Sequence, residues 1–168
     1  MIVGAALGIV SAFYTFLDIP SYILLAIEVV LSFIWFYMAY RNLPALGATE
    51  LRFTPRWAII WWFIPILNFW KPYQVTVEII KSSDPSIGAT DSSARSALHT
   101  PPFVLIWWIY SFIAVAIAVG LALGRGPLGF TATVSGVSTA IQTILSILVI
   151  REITKRQTQK IGLLHSGV

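Results

Sequence analysis

Glu28 is a carboxylate inside the run IPSYILLAIEVVLSFIWFYMAY, residues 19–40. An ionisable side chain in mid-membrane costs on the order of 2.5 to 3.5 kcal/mol on insertion scales, so it normally faces a bundle interior or a wet path. Three roles follow from that: a structural hydrogen bond, a proton or cation site, or a side chain tilted toward the interface. A partner is on offer further along the chain, where Ser135, Ser138, Gln142 and Ser146 recur at offsets of 3, 7 and 11 and make one polar helical stripe. Such stripes more often hold helices together than conduct anything.

The second concentration of special residues is RWAIIWWFIPILNFW, residues 56–70. Trp57, Trp61, Trp62 and Trp70 are four of the seven tryptophans, and indole, with an apolar body and a polar N–H, suits headgroup depth. Trp57 and Trp61 are spaced to share a helix face. Pro65 removes a backbone donor and kinks or ends that helix, leaving carbonyls for Asn68 or water. The default reading is an aromatic belt; the functional one is a re-entrant element bordering a small cavity, because broken backbone at membrane depth needs protein or water around it. Arg41 and Asn42, after Tyr40 at a helix end, read first as an interface anchor and second as a ligand site, with Glu50 or a lipid phosphate as the partner of Arg41.

Other chemistries are excluded or weak. No cysteine is present, so there is no disulfide, thiolate metal site or cysteine nucleophile. His99 and His165 are far apart, with no carboxylate at ligand spacing, and do not make a metal site. HExxH, GxSxG and paired aspartates are all missing. The chain is therefore expected to be no enzyme, with no catalytic residue, metal or cofactor.

The elements that position these residues are membrane helices. Of 168 residues, 57% are hydrophobic and 11% charged, and mean hydropathy is +0.82, whereas soluble domains carry about 25% charge. So few charges cannot clothe a water-facing surface, and a pI near 9.6 is read as a topology signal and not as nucleic-acid binding. About 20 apolar residues cross a bilayer. Charge-free or nearly charge-free runs occur at 1–17, 19–40, 103–123 and 131–150. The first has no basic leading region and no small-residue cleavage site before Asp18, so it reads as a retained helix and not a signal peptide. At fifteen residues, 56–70 is short for a span and falls in the re-entrant or interfacial range.

Basic residues then orient the chain. Arg41, Arg52, Arg56, Lys71, Lys81 and Arg95 precede the third run, Arg151, Lys155, Arg156 and Lys160 follow the fourth, and Arg125 alone sits in the tight turn between the last two. The positive-inside rule favours four spans with both termini cytoplasmic in the cell membrane, and a Trp-rich segment that enters and leaves on one face. Five spans would put several of these cations on the wrong side. The expected fold is thus an all-α, single-domain membrane bundle of four helices plus the re-entrant segment 56–70. An amphipathic surface helix at 71–83 follows, where Tyr73, Val77 and Ile80 share a face behind Pro72, then a polar, partly disordered cytoplasmic loop at 84–101 and a basic tail at 151–168. Small residues at Gly4, Gly8 and Ala12, and at Ala116, Gly120 and Gly124, suit a compact bundle or a homo-oligomer equally.

The block from Trp35 to Pro85 resembles a known bacterial membrane family, domain of unknown function 4328. The resemblance is carried by Ala39-Tyr40-Arg41-Asn42-Leu43, the Arg52-Phe53-Thr54-Pro55 turn, WWFIPILN, Lys71-Pro72-Tyr73 and a Ser-x-x-Pro ending, and it extends to Trp107-Trp108 and the helices beyond. It implies a multi-pass bacterial membrane protein with no established activity and supplies no catalytic residue.

Two functions compete. One is a non-enzymatic scaffold or interaction module that contacts the bilayer and a protein partner at its cytoplasmic face. The other is a small oligomeric transporter or channel subunit using Glu28 and the Gln142 stripe. Under the scaffold reading Glu28→Gln leaves proton and ion flux in proteoliposomes unchanged; a flux present in the parent and abolished in the variant sinks that reading.

Overall fold

The computed structural model describes residues 2–86, 92–124 and 127–166. The middle of the expected polar loop, residues 87–91, and Arg125 with Gly126 in the tight turn lie outside the described residues. The surroundings of Gly4, Gly8 and Ala12 are likewise outside what the structure describes. Helices α1 (Ile2–Arg41), α2 (Pro55–Ile60), α3 (Lys71–Ser82), α4 (Ser92–Ala97), α5 (Pro102–Leu123) and α6 (Leu128–Ser166), with a 3₁₀ turn at Leu67–Phe69, make up the regular structure. No strand occurs among the described residues.

Among the described residues, three stretches are long and apolar enough to cross a bilayer: Ile23–Arg41, Pro102–Leu123 and Gly129–Ser166. Between 11% and 17% of their most apolar windows is buried. The outward face of each is therefore hydrocarbon-like, as suits a helix surrounded by lipid. The expected spans 103–123 and 131–150 lie in α5 and α6. The expected spans 1–17 and 19–40, by contrast, share one unbroken helix that continues through Pro20. Antiparallel helices need about 2 to 8 connecting residues, and Asp18 is all that separates those two runs.

The last two spans are joined by a polar ladder. Trp107 Nε1 donates to Ser146 Oγ at 3.1 Å, Tyr110 OH to Ser138 Oγ at 3.2 Å, and Gln142 Nε2 to Ser111 Oγ at 3.0 Å. In hydrocarbon each such bond is worth on the order of 1 kcal/mol.

Everything else packs at one end of the spans, in what we call the headpiece. Its core takes Phe36, Ala39 and Tyr40 from α1, Leu43, Leu46 and Ala48 from the loop that follows, Ala58 from α2, Val75, Ile79 and Ile80 from α3, Val104 from α5, and Val149 and Ile153 from α6. That loop folds back on itself, with Ala48 N–H bonded to Leu43 O at 3.0 Å, and Gly47 supplies the positive φ of 82° the reversal requires. Helix α2 starts where Thr54 Oγ1 accepts from the Trp57 N–H and Pro55 fills the first turn.

Two expectations change here. Helix α3 is amphipathic, but it is the centre of the headpiece and not a surface helix. Its buried side runs through Pro72, Val75, Thr76, Ile79 and Ile80, while Tyr73 and Val77 are half-buried at the margin. Helices α2, α4, α5 and α6 and the 3₁₀ turn all pack on α3, which overrides the weak helix propensity of its β-branched residues. The tail is not a separate segment either, since α6 runs on to Ser166 and buries Ile153, Gln157 and Lys160 against α1 and α3.

That extension closes the ends of two helices. Gln157 Nε2 donates to Ala39 O at 2.8 Å and to Ser83 Oγ at 3.3 Å, and Lys160 Nζ donates to Ser82 O at 3.0 Å. The last carbonyls of a helix lack partners within it, so α6 satisfies orphans of both α1 and α3. Alongside, Arg156 reaches Asp84 Oδ2 at 2.6 Å and Glu152 Oε1 at 2.6 Å.

Burial alone would raise the Asp84 carboxyl pKa. The Ser86 hydroxyl and backbone N–H, then the charges of Arg156 and Lys160, outweigh it and hold the group below its ordinary value. A carboxyl depressed in the folded state stabilises above its unfolded pKa, about 3.9, and that contribution is lost as pH falls through the folded value. Asp84→Asn is therefore expected to lower the midpoint of thermal unfolding by several degrees at pH 7, a difference that starts to shrink only below about pH 4 and vanishes as pH falls through the depressed folded value. Parallel melting curves for the two proteins at pH 7 and pH 3 would refute the assignment.

Candidate functional site

Among the described residues the headpiece holds one buried carboxylate. Glu78, 9% exposed on α3, accepts from the Tyr40 hydroxyl at 2.7 Å through Oε2 and from the Arg52 N–H at 2.8 Å through Oε1. Tyr40 OH in turn accepts from the Phe53 N–H at 3.1 Å. The hydroxyl has a single proton, and the charged acceptor holds it over the Phe53 carbonyl 3.0 Å away. Three segments distant in sequence are thereby tied: the end of α1, the bend at 52–53, and the middle of α3. With both oxygens engaged, this carboxylate acts as a latch between those elements.

Beside it opens a cleft of about 330 Å³ lined by Glu50, Arg52, Val77, Glu78, Lys81, Arg95 and Ser96. Lys81 stands one turn beyond Glu78 on the same face of α3. Its Nζ donates to Ser96 O at 3.0 Å, and Arg95 Nη1 donates to Thr49 O at 2.7 Å, so α4 is fastened over the cleft. Glu50 holds a left-handed φ of 53° at the rim, uncommon for a residue with a side chain.

The Trp-rich segment leaves and returns at one place. Lys71 Nζ, where α3 begins, lies 5.3 Å from the Phe53 ring centroid and 5.6 Å from that of Trp61. Each contact is worth roughly 0.5–1 kcal/mol when exposed. Trp57 stacks on Trp61 at 4.6 Å, and Trp62 meets Phe33 and Phe36 of α1 and Trp108 of α5 edge-on. On the far side Phe69 stacks on Phe112, and its carbonyl accepts from Trp108 Nε1 at 3.1 Å. Between these anchors Ile60, Phe63, Ile66 and Phe69 are exposed, as is Pro65.

The residues singled out from sequence distribute as follows. Trp61, Trp62 and Asn68 are half-buried, and Trp61 Nε1, Trp62 Nε1 and Asn68 Oδ1 are buried with no protein partner. Gln142 works between α5 and α6, its amide N–H on Ser111 and its Oε1 unpartnered. Glu28 is exposed on α1 and makes no hydrogen bond or ion pair among the described residues, so the Gln142 stripe serves α5 and not Glu28. Arg41 and Asn42 are exposed at the end of α1, with no side-chain bond to Glu50 among the described residues. Sequence reasoning missed the Tyr40–Glu78 pair and the cleft beside it. The available signal was an acid embedded in VTVEII, within a turn of the buried positions 75 and 79.

Loss of the latch is expected to be expensive. Tyr40→Phe and Glu78→Ala each leave a buried polar group unpaired and should cost about 1–3 kcal/mol, with a coupling between them of about 0.5–3 kcal/mol in a double-mutant cycle. Arg41→Ala, outside the network, should change stability by less than about 0.5 kcal/mol. Denaturant unfolding in detergent, followed by tryptophan fluorescence, measures all four; additive effects of the first two would remove the latch.

The family described as Domain of unknown function (DUF4328) matches the chain over residues 3–155. No curated protein and no solved structure matches it.

Proposed function

The chain belongs to the DUF4328 family, and on that premise we propose that it is a non-enzymatic, multi-pass module of the bacterial cell membrane whose headpiece is a cytoplasmic interaction platform. The observation that carries this reading is the gathering of charge at one end. Arg41, Arg52, Arg56, Lys71, Lys81, Arg95, Arg151, Lys155, Arg156 and Lys160 all lie in or beside the headpiece, and cytoplasmic faces are the ones enriched in lysine and arginine. The Trp-rich segment acts as a re-entrant anchor. Its two ends meet at Phe53 and Lys71, and its exposed tip of Phe63 and Ile66 dips into the inner leaflet.

Transport has less support, because Glu28 is exposed on α1 while the Gln142 amide is engaged by Ser111 of α5. On charge and hydropathy the first forty residues favour two membrane-embedded runs, giving four crossings with both ends of the chain in the cytoplasm. That topology requires α1 to open near Asp18 and Pro20, where the proline already lacks a backbone donor.

The missing cysteines make this directly measurable. Single cysteines at Ala45, Ser86 and Ser166, all exposed, should resist a membrane-impermeant maleimide in intact cells and react after lysis. Gly129→Cys, where an added Cβ meets open space, should react from outside. External labelling at Ala45 or Ser86 would overturn the cytoplasmic headpiece. Ile2→Cys should be protected; if it labels from outside, the first helix crosses once.

A further inference from the structure

We propose that the cleft between α3, α4 and residues 49–52 is a binding site for a phosphate group. Its lining brings Arg52, Lys81 and Arg95 together from three separate segments against two carboxylates. Glu78 turns neither oxygen to the cleft unpaired, since Tyr40 and the Arg52 N–H hold both. Cations dominate what remains, with Glu50 at the rim.

The donor chemistry suits a phosphate. Among the described residues, Lys81 commits one N–H of three to Ser96 O and Arg95 commits one of five to Thr49 O. Those two bonds fix the head groups in place, so little side-chain freedom is lost when an anion arrives. Arg52 is held through its backbone by Glu78, while its guanidinium is exposed at the mouth. Guanidinium forks match phosphate oxygens two at a time, and an ammonium adds a point charge. A space of about 330 Å³ takes a phosphate with a small organic substituent and is at the lower end of ligand pockets. Glu50 keeps a strained backbone at this rim and nowhere else among the described residues is a non-glycine φ positive. Strain of that kind persists where surrounding structure enforces a particular surface.

The shared chemistry is a phosphate monoester, which a lipid headgroup or a soluble phosphate compound could supply. The cleft offers the same donors whichever side of the membrane the headpiece faces.

The test uses the full chain in nanodiscs of phosphatidylcholine. Inorganic phosphate is titrated in one arm and phosphatidic acid is added to the discs in the other, with unfolding temperature and ³¹P linewidth as readouts. At least one probe should bind saturably, more weakly as salt is raised. Arg52→Gln and Lys81→Gln should each weaken it by about tenfold, whereas Lys155→Gln on the outer face of α6 should leave it unchanged. Arg52→Gln keeps the fold assessable, because its side chain makes no bond among the described residues. A response to phosphatidic acid alone assigns the site to a lipid headgroup, and one to inorganic phosphate alone assigns it to a soluble compound. Absence of saturable binding to both probes, or binding undiminished in Arg52→Gln and Lys81→Gln, overturns the proposal.

Discussion

A carboxylate withdrawn from water has to find donors where it is buried, and Glu78 finds them in two segments that would otherwise be unconnected. Tyr40 comes from the last turn of α1 and the Arg52 N–H from the chain that leaves it, so one acidic side chain sets where residues 42–54 cross α3. With that crossing fixed, Leu43, Leu46 and Ala48 enter the core as a group. Thr54 is then positioned to start α2, and the Trp-rich segment departs from a defined point. Removing either partner leaves the other buried and unsatisfied, which makes the network a specificity device as much as a stabilising one.

The division between membrane and headpiece follows from what each part buries. The spans bury little of their own apolar surface and rely on lipid, with a ladder of hydroxyl, indole and amide groups holding α5 to α6. The headpiece is packed as a soluble domain is packed, around Val75, Ile79, Ile80 and Ile153, all fully buried. Between the two sits the aromatic layer of Trp57, Trp61, Trp62, Trp107 and Trp108, whose rings contact one another and several phenylalanines.

Hydropathy makes α5, the apolar part of α6 and the second half of α1 legible from sequence, because continuous apolar runs carry their own length measure. The proline-interrupted Trp-rich segment is legible as an exception to that pattern. What the sequence hides are relations made by long-range pairing. Nothing local marks Tyr40 and Glu78 as partners across 38 positions, or Gln157 as the cap of Ala39 across 118. The stripe of Ser138, Gln142 and Ser146 is recognisable as helix adhesive, but its partner helix is not: Trp107, Tyr110 and Ser111 offer the matching groups, and Glu28 makes no hydrogen bond to the stripe among the described residues. Arg151 onward looked like a tail because charge density there resembles a solvated end. The packing of Ile153, Gln157 and Lys160 reveals that the helix goes on.

Helix α6 is one rigid rod from the bilayer to the headpiece, and rods transmit angle as displacement. From Gln142, pinned to α5, to Gln157, which closes α1, is about 22 Å of helix. A change in tilt of roughly 10°, well within the range that bilayer thickness imposes on spanning helices, would sweep Gln157 and Lys160 sideways by about 4 Å. That exceeds the reach of the bonds they make to Ala39 and Ser82. The geometry of the headpiece is therefore mechanically tied to the thickness of the lipid around α5 and α6.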